Sequence, residues 1–260
     1  MPHEDPVQTR HELRENLRSL GLEAGYEVVV HPSLSSLGWV EGGADTVVDA
    51  LLDVLGDRGT LAVPTFTSGL VESRPFDRCT SPSQTGAITE AVRCRASAVR
   101  SSHPTHSVTA IGCGASAITR AHPPMHSVGR GSPLHRLANR GGWILLVGVR
   151  HDRNSTIHVA ERLAGLPFKG MPRTVPVRRD GDVVDIDVAR VGCSRGFTTL
   201  EAAAEDAGIV RRGPVGVADC QLLRGDALID LVGGMLSSDP GRLLCETDDC
   251  WWCADASAEL

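Results

Sequence analysis

A strand, a Ser/Gly loop, an amphipathic helix and a second strand follow one another between Val28 and Thr65 with no linker between them. Val28-Val29-Val30 is a β-branched run of the kind that fills a buried strand. Pro32 cannot donate to a sheet, so His31-Pro32-Ser33 ends that strand. Ser33, Ser35, Ser36 and Gly38 then offer small side chains and open backbone N–H groups. Gly42-Gly43 turns the chain, and Asp45 is the expected N-cap of a helix carrying Val47, Val48, Leu51, Leu52 and Leu55. Gly56 and Gly59 stop the helix, and the next strand starts at Thr60. Such a unit belongs to an α/β fold. Its loop, at a strand end and before a helix, suits an anion or an amide-rich cofactor arm. An ordinary βαβ turn that uses small residues for packing accounts for the same sequence.

The rest of the chain extends the pattern. Helical spacing covers Gln8 to Leu20, and residues 1–6 read as a loose tail. Residues 66–84 are polar and irregular, a surface loop at a strand end. Helices are expected at Thr85–Cys94, Ser116–His122, Pro133–Asn139, Asn154–Leu163, Phe197–Ala207 and Asp226–Leu236, the third with Pro at a favourable first position. Residues 99–114 mix loop and strand, and Trp143 to Val149, WILLVGV, is the clearest buried strand. Pro167 to Pro176 reads as a connector, and Val183 to Val188 alternates as a half-exposed strand does. With no internal repeat and no flexible linker, the 260 residues make one α/β domain with a C-terminal helical portion.

Composition narrows the partners. Aromatics are 3% and the net charge is −6, which argues against a base-stacking or phosphate-tracking nucleic-acid surface. No apolar run approaches the length of a membrane span. The N-terminal MPHEDPVQTRHELRENL lacks the apolar core of a signal peptide, so the reading is a cytoplasmic protein. Its eight cysteines are then expected to be reduced, either buried or metal-bound.

Four groups of residues could carry chemistry. His158 and Glu161, in NSTIHVAERLAG, share a helix face at i and i+3. A carboxylate that orients a histidine ring makes it a proton acceptor near neutral pH; a surface ion pair has the same spacing. His31, His103, His106, His151 and Asp152 cluster near predicted loop ends, without the spacing of a catalytic metal site. Gly129-Arg130-Gly131-Ser132-Pro133 precedes a helix and could hold a phosphate or amide. Finally, Cys245-x4-Cys250-x2-Cys253 supplies three thiolates at zinc-ligand spacing. Cys193 is the candidate fourth ligand and Cys220 the next; free, partly buried thiols are the alternative.

Four of these segments together resemble the antibiotic N-acetyltransferase family, which includes the aminoglycoside 3-N-acetyltransferases. They are HPSLSSLGWVEGGADTVVDALLDVLGDRGTLAVPT, RSSHPTHSVTAIG, GRGSPLHRL and ILLVGVRHDRNSTIHVAE, in the family's order across residues 27–165. CSRGFTTLE and GPVGVADCQLL continue the likeness more weakly. The resemblance implies a mixed central sheet flanked by helices in a single acetyltransferase domain. Residues 7–165 would form its core and 166–260 a C-terminal portion with the cysteines. It implies acetyl-CoA as donor and a small-molecule amine as acceptor. His31, Ser33, Leu34, Ser35, Ser36 and Leu37 would hold the pantetheine arm, with Arg100, Ser101, Thr105, Ser107 and Ser132 beside it. His158 would be the general base and Glu161 its partner, in a direct transfer without a cysteine acyl-enzyme. A homo-oligomer is compatible with all of this.

Residues 66–84 depart from the family pattern, because aminoglycoside-modifying members carry a longer, Trp-rich and acidic segment there. This one holds only Glu72 and Asp77 as acids. A polycation needs several carboxylates, so the expectation is widened to amino sugars and other small amines. Other acyl donors or acceptors on the same scaffold, a zinc-stabilised ligand-binding protein and a metallohydrolase are the rival readings.

Overall fold

A computed structural model describes residues 7–166 and 170–260; the expected N-terminal tail and the start of the expected connector lie outside them. Seven strands form one mixed sheet in the order β3-β4-β2-β1-β5-β9-β8. They are β1 Glu27–Pro32, β2 Thr60–Pro64, β3 Val99–Arg100, β4 Val108–Gly112, β5 Trp143–Val147, β8 Val210–Val215 and β9 Ala218–Arg224. β1 lies parallel to β2 and to β5, and the remaining pairs are antiparallel. The expected mixed sheet is therefore present.

Alternation along the central strands sends side chains to two cores, and helices cover both. Val28, Val30, Leu145 and Val147 pack with α1 (Arg10–Ser19) and α2 (Gly43–Leu55). Val29, Ile144 and Leu146 pack with α4 (Ala115–Thr119), α5 (Pro133–Asn139), α6 (Thr156–Leu163) and α8 (Gly225–Ser238). α3 (Ala87–Arg93) joins the first layer, and α7 (Leu200–Asp206) the second. The chain thus leaves β1 towards one face and β5 towards the other. Two adjacent parallel strands whose connections diverge in this way open a crevice at their carboxyl ends.

Several boundaries move. α2 begins at Gly43 with Gly42 as its N-cap, so Asp45 sits in the first turn rather than at the cap. Both glycines have positive φ, +75° and +63°, a turn that side-chain-bearing residues rarely make. α6 begins at Thr156, and Asn154 steadies it by accepting the Thr156 amide at 3.2 Å.

The C-terminal portion is not mainly helical. β8 and β9 form a hairpin that completes the main sheet, with β9 paired along the whole of β5. Most of the expected connector is strand β6, Pro172–Arg179, paired with β7, Asp182–Ala189. Pro172 and Pro176 are tolerated because this separate ribbon has only two strands, and the edge of β6 away from β7 carries a single bridge, to Phe76, rather than a full ladder. The ribbon covers the loop after β2: Phe76 is buried among Val71, Val175, Val177 and Val188, and its amide donates to the Pro176 carbonyl at 2.9 Å. A last helix, α9 (Trp251–Ala258), starts inside the cysteine-rich segment.

Candidate active site

The carboxyl ends of β1, β2 and β5 open into a cavity of about 1130 Å³. β1 delivers His31 to Ser35, β2 delivers Pro64 and Phe66, and the turn after β5 delivers Val149 and Asp152. His158 lines the same cavity from α6, His106 from the loop before β4, and Val191, Gly192 and Ser194 from the segment after β7. The divergence of the chain at β1 and β5 therefore positions the site.

His158 and Glu161 meet as the helical spacing requires. His158 Nδ1 lies 2.6 Å from Glu161 Oε2, and both side chains are buried. A carboxylate accepts only, so Nδ1 donates and the neutral ring carries its lone pair on Nε2. Phe197 packs against the ring in a T-shaped contact at 4.7 Å between centroids. Burial excludes the reading of an exposed surface ion pair. His106 is held by Thr105 Oγ1, 2.8 Å from its Nδ1, and burial pushes its pKa well below the usual histidine value. It is neutral at pH 7.

The Ser/Gly loop forms one 3₁₀ turn, Leu34–Leu37. Ser36 Oγ donates to Ser33 Oγ at 2.8 Å and lies 3.1 Å from the Gly148 carbonyl, and Ser33 Oγ is 3.2 Å from Ser35 Oγ. Ser33, Leu34 and Ser35 line the cavity; Ser36 props the turn from behind, and Leu37 is fully buried in the core. Gly42 and Gly43 also line it, at the start of the thirteen-residue α2. A helix N-terminus with small residues around it suits a phosphate. His31 is buried with its pKa lowered to about 3 by desolvation, so it stays neutral. Its Nε2 has no hydrogen-bond partner among the described residues. Hydroxyls, a helix N-terminus and a buried ring nitrogen match the amide and phosphate groups of a coenzyme A arm.

Other expected contacts sit elsewhere. Arg100, Ser101, Thr105 and Ser107 are buried and bond to their own surroundings rather than lining the cavity. Arg100 donates to Ser107 Oγ at 2.9 Å and to the Thr65 carbonyl at 2.9 Å, and it lies over the Phe76 ring. Ser101 Oγ is 3.0 Å from His122 Nδ1. Ser132 is the N-cap of α5, its Oγ accepting the His135 amide at 3.3 Å. These residues support the loops that carry the site. Conversely, Trp39, Phe66, Gln84, Thr85, Ser155 and Gly192 line the cavity without any spacing signal in the sequence. Among the described residues, Asp152 is the single carboxylate bearer in the cavity lining. Glu72 lies 3.7 Å from Arg173, and Asp77 accepts the Cys79 and Thr80 amides, so both acids of the short loop have local partners.

The expected cysteines come together. Cys193, Cys245, Cys250 and Cys253 place their sulfurs within 4.8 Å of one another, with Cys193 and Cys245 at 3.7 Å. Zinc–sulfur bonds of about 2.3 Å in a tetrahedron put sulfurs about 3.8 Å apart, so this set fits zinc in donor type and spacing. The Arg195 amide lies 3.3 Å from Cys193 Sγ and the Cys245 amide 3.4 Å from Cys253 Sγ, the second-layer bonds that thiolate ligands attract. Cys220 is buried in the sheet core, away from this group.

A crevice at the switch between two parallel strands, with a carboxylate-paired histidine in its wall, defines a ligand-binding α/β protein with a proton-handling site. The chain belongs to the aminoglycoside 3-N-acetyltransferase family, whose model matches residues 29–237. It is 33% identical over 232 residues to aminoglycoside N(3)-acetyltransferase IV of a Salmonella species, covering 88% of this chain and 87% of that protein. It superimposes with a TM-score of 0.90 on aminoglycoside acetyltransferase AAC(3)-IVa, crystallised as a histidine-to-alanine variant with a gentamicin, at 30% identity over 98% of each chain. A third likeness, to AAC-IIIb in a binary structure with CoASH, has a TM-score of 0.82 at 27% identity, over 90% of this chain and 97% of that one.

Proposed function

We propose that this protein transfers the acetyl group of acetyl-CoA directly to an amine of an aminoglycoside or related amino sugar, with His158 as general base. The observation that carries the reading is the buried His158–Glu161 pair in the wall of the cavity. Amines are mostly protonated at pH 7 and attack a thioester only as the free base. His158 takes the amine proton at Nε2 while Glu161 holds Nδ1 and stabilises the imidazolium that forms. The amine nitrogen bonds to the thioester carbon, the carbon–sulfur bond breaks, and coenzyme A leaves as its thiol or thiolate. Backbone N–H groups of the Ser33–Leu37 turn are suited to the pantetheine amides, and the start of α2 to a phosphate. Val191, Gly192, Ser194 and Asp152, which line the same cavity as His158, are assigned to the acceptor wall.

The relatives named above support this assignment, one by binding a gentamicin and another by binding CoASH. The first covers 98% of each chain, so the short segment at 66–84 does not by itself exclude an acceptor of that class. We also infer that Cys193, Cys245, Cys250 and Cys253 hold one structural zinc ion, and that the unpaired cysteines reflect a reducing cytoplasm. No described helix is long and apolar enough to cross a membrane.

The test is thiol release from acetyl-CoA in the presence of aminoglycosides of graded charge and of simple amino sugars. Acceptor-dependent release supports the reading. Binding of acetyl-CoA without release to any amine overturns it and favours the ligand-binding alternative.

A further inference from the structure

The cysteine cage lies directly behind the wall of the cavity. Val191, Gly192 and Ser194 line the cavity, and Cys193, between them, is part of the cage. Trp252, two residues after Cys250, is packed with Cys250 and Cys253. Its indole lies so close to the back of Gly192 that a Cβ there would sit 2.5 Å from Nε1 and 2.6 Å from Cε2. Gly192 also has φ +99°, so the backbone is free to fold against the ring. Four residues further on, Gly196 rests against the Leu243 and Leu244 backbone, where any side chain would collide with the Leu243 carbonyl oxygen. Next to it, the Phe197 ring packs against the His158 ring in a T-shaped contact. The segment from Val191 to Phe197 therefore has one face on the site and the other on residues 243–253. It forms no α-helix or strand until the 3₁₀ turn at Arg195, so its position depends on what it packs against.

We propose that zinc bound by the four cysteines sets the position of the acceptor wall: the metal fastens residues 243–253 to Cys193, and the Trp252–Gly192 contact transmits that placement to the cavity. This rests on the zinc reading above and adds a role in acceptor recognition. Trp252 and Gly192 are positioning residues that act through the wall. The coenzyme side is built on the turn after β1 and the start of α2, where Leu37, Val40, Val47 and Val48 pack in the opposite core.

The experiment compares the purified protein with Cys245→Ser, which removes a ligand, and Trp252→Leu, which keeps all four cysteines. Elemental analysis gives zinc per chain. Titration gives the Kd for CoA, steady-state kinetics the KM for the acceptor, and amide exchange the local stability of residues 190–197. The proposal expects one zinc per chain in the parent and in Trp252→Leu, and loss of zinc in Cys245→Ser. In both variants acceptor KM rises about tenfold, with the Kd for CoA within about twofold. Exchange over 190–197 quickens in both while that of β1 and β5 does not change. If the parent holds no zinc, the zinc reading and this proposal both fall. If zinc is present and its loss leaves acceptor KM and 190–197 exchange unchanged, the zinc reading stands and the wall proposal is overturned. Should Cys245→Ser not fold, Trp252→Leu decides on the same readouts. Where no acceptor is turned over, unchanged exchange on zinc loss overturns the proposal.

Discussion

Glu161 Oε2 stands 2.6 Å from His158 Nδ1, one helical turn away on α6 and buried with it. The contact fixes which ring nitrogen holds the proton and leaves a negative charge beside the imidazolium that forms during transfer. Glu161→Gln keeps the size and the hydrogen-bonding atom but removes the charge. It is expected to lower kcat by about 10–100-fold with unchanged CoA affinity. Equal loss in KM and Kd with normal kcat contradicts this role.

Gly42 turns the chain into α2 at φ +75°, and a Cβ there would meet Thr46 Oγ1. Gly42→Ala shifts the start of the helix and its amides. CoA affinity is expected to fall about tenfold and stability by about 1 kcal/mol, with kcat at saturating CoA retained. Equilibrium titration against acetyl-CoA and against CoA checks it.

Asp152 is the carboxylate the cavity lining offers to a cationic acceptor. Asp152→Asn is expected to raise acceptor KM about fivefold to tenfold, more for acceptors of higher charge, with the effect shrinking in high salt. Kinetics across the graded amine panel at two ionic strengths read this out.

Arg100 is buried, with burial pulling its pKa down to about 10, so it is still a cation at neutral pH. It donates to the Ser81 and Thr65 carbonyls and to Ser107. Arg100→Lys cannot reproduce this fork and leaves carbonyls unmet. A loss of about 2 kcal/mol or more in stability is expected, with CoA affinity unchanged. A selective loss of CoA affinity at normal stability would return Arg100 to the cofactor.

His31 and His103 are buried as neutral rings, with pKa lowered by desolvation to about 3 and about 4. The unfolded chain, with histidine near 6.5, binds more protons than the native state between those values. Stability is therefore full above about pH 6.5 and falls as pH drops towards 4. Each ring contributes a loss of about 2 kcal/mol between pH 7 and pH 5. Urea denaturation at the two pH values measures it, and a flat profile contradicts the neutral burial.

Local patterns were legible where periodicity and turn residues agree. The β1–α2–β2 unit, the buried strand at Trp143 and the His158–Glu161 helix were each readable from a few residues, because burial on one face leaves a repeat in the sequence. The β8–β9 hairpin was not, since Arg211, Arg212 and Gly213 interrupt the apolar pattern and β9 owes its burial to β5. β6 was hidden by Pro172 and Pro176, which an isolated two-stranded ribbon accepts. In the site, the Ser/Gly turn and the cysteine set could be named from spacing. The burial of Arg100, Ser101, Thr105 and Ser107 could not, because a polar residue facing a loop network and one facing a ligand look alike in sequence. Gly192 gave no signal either; its role is visible only with Trp252 against it.

The most direct measurement is the transfer rate of His158→Ala, read as CoA thiol release with an accepted amine, alongside its Kd for acetyl-CoA. The expected result is a folded protein that binds acetyl-CoA normally and whose kcat falls about 100–10,000-fold. A folded His158→Ala protein that binds acetyl-CoA and keeps the full rate contradicts it.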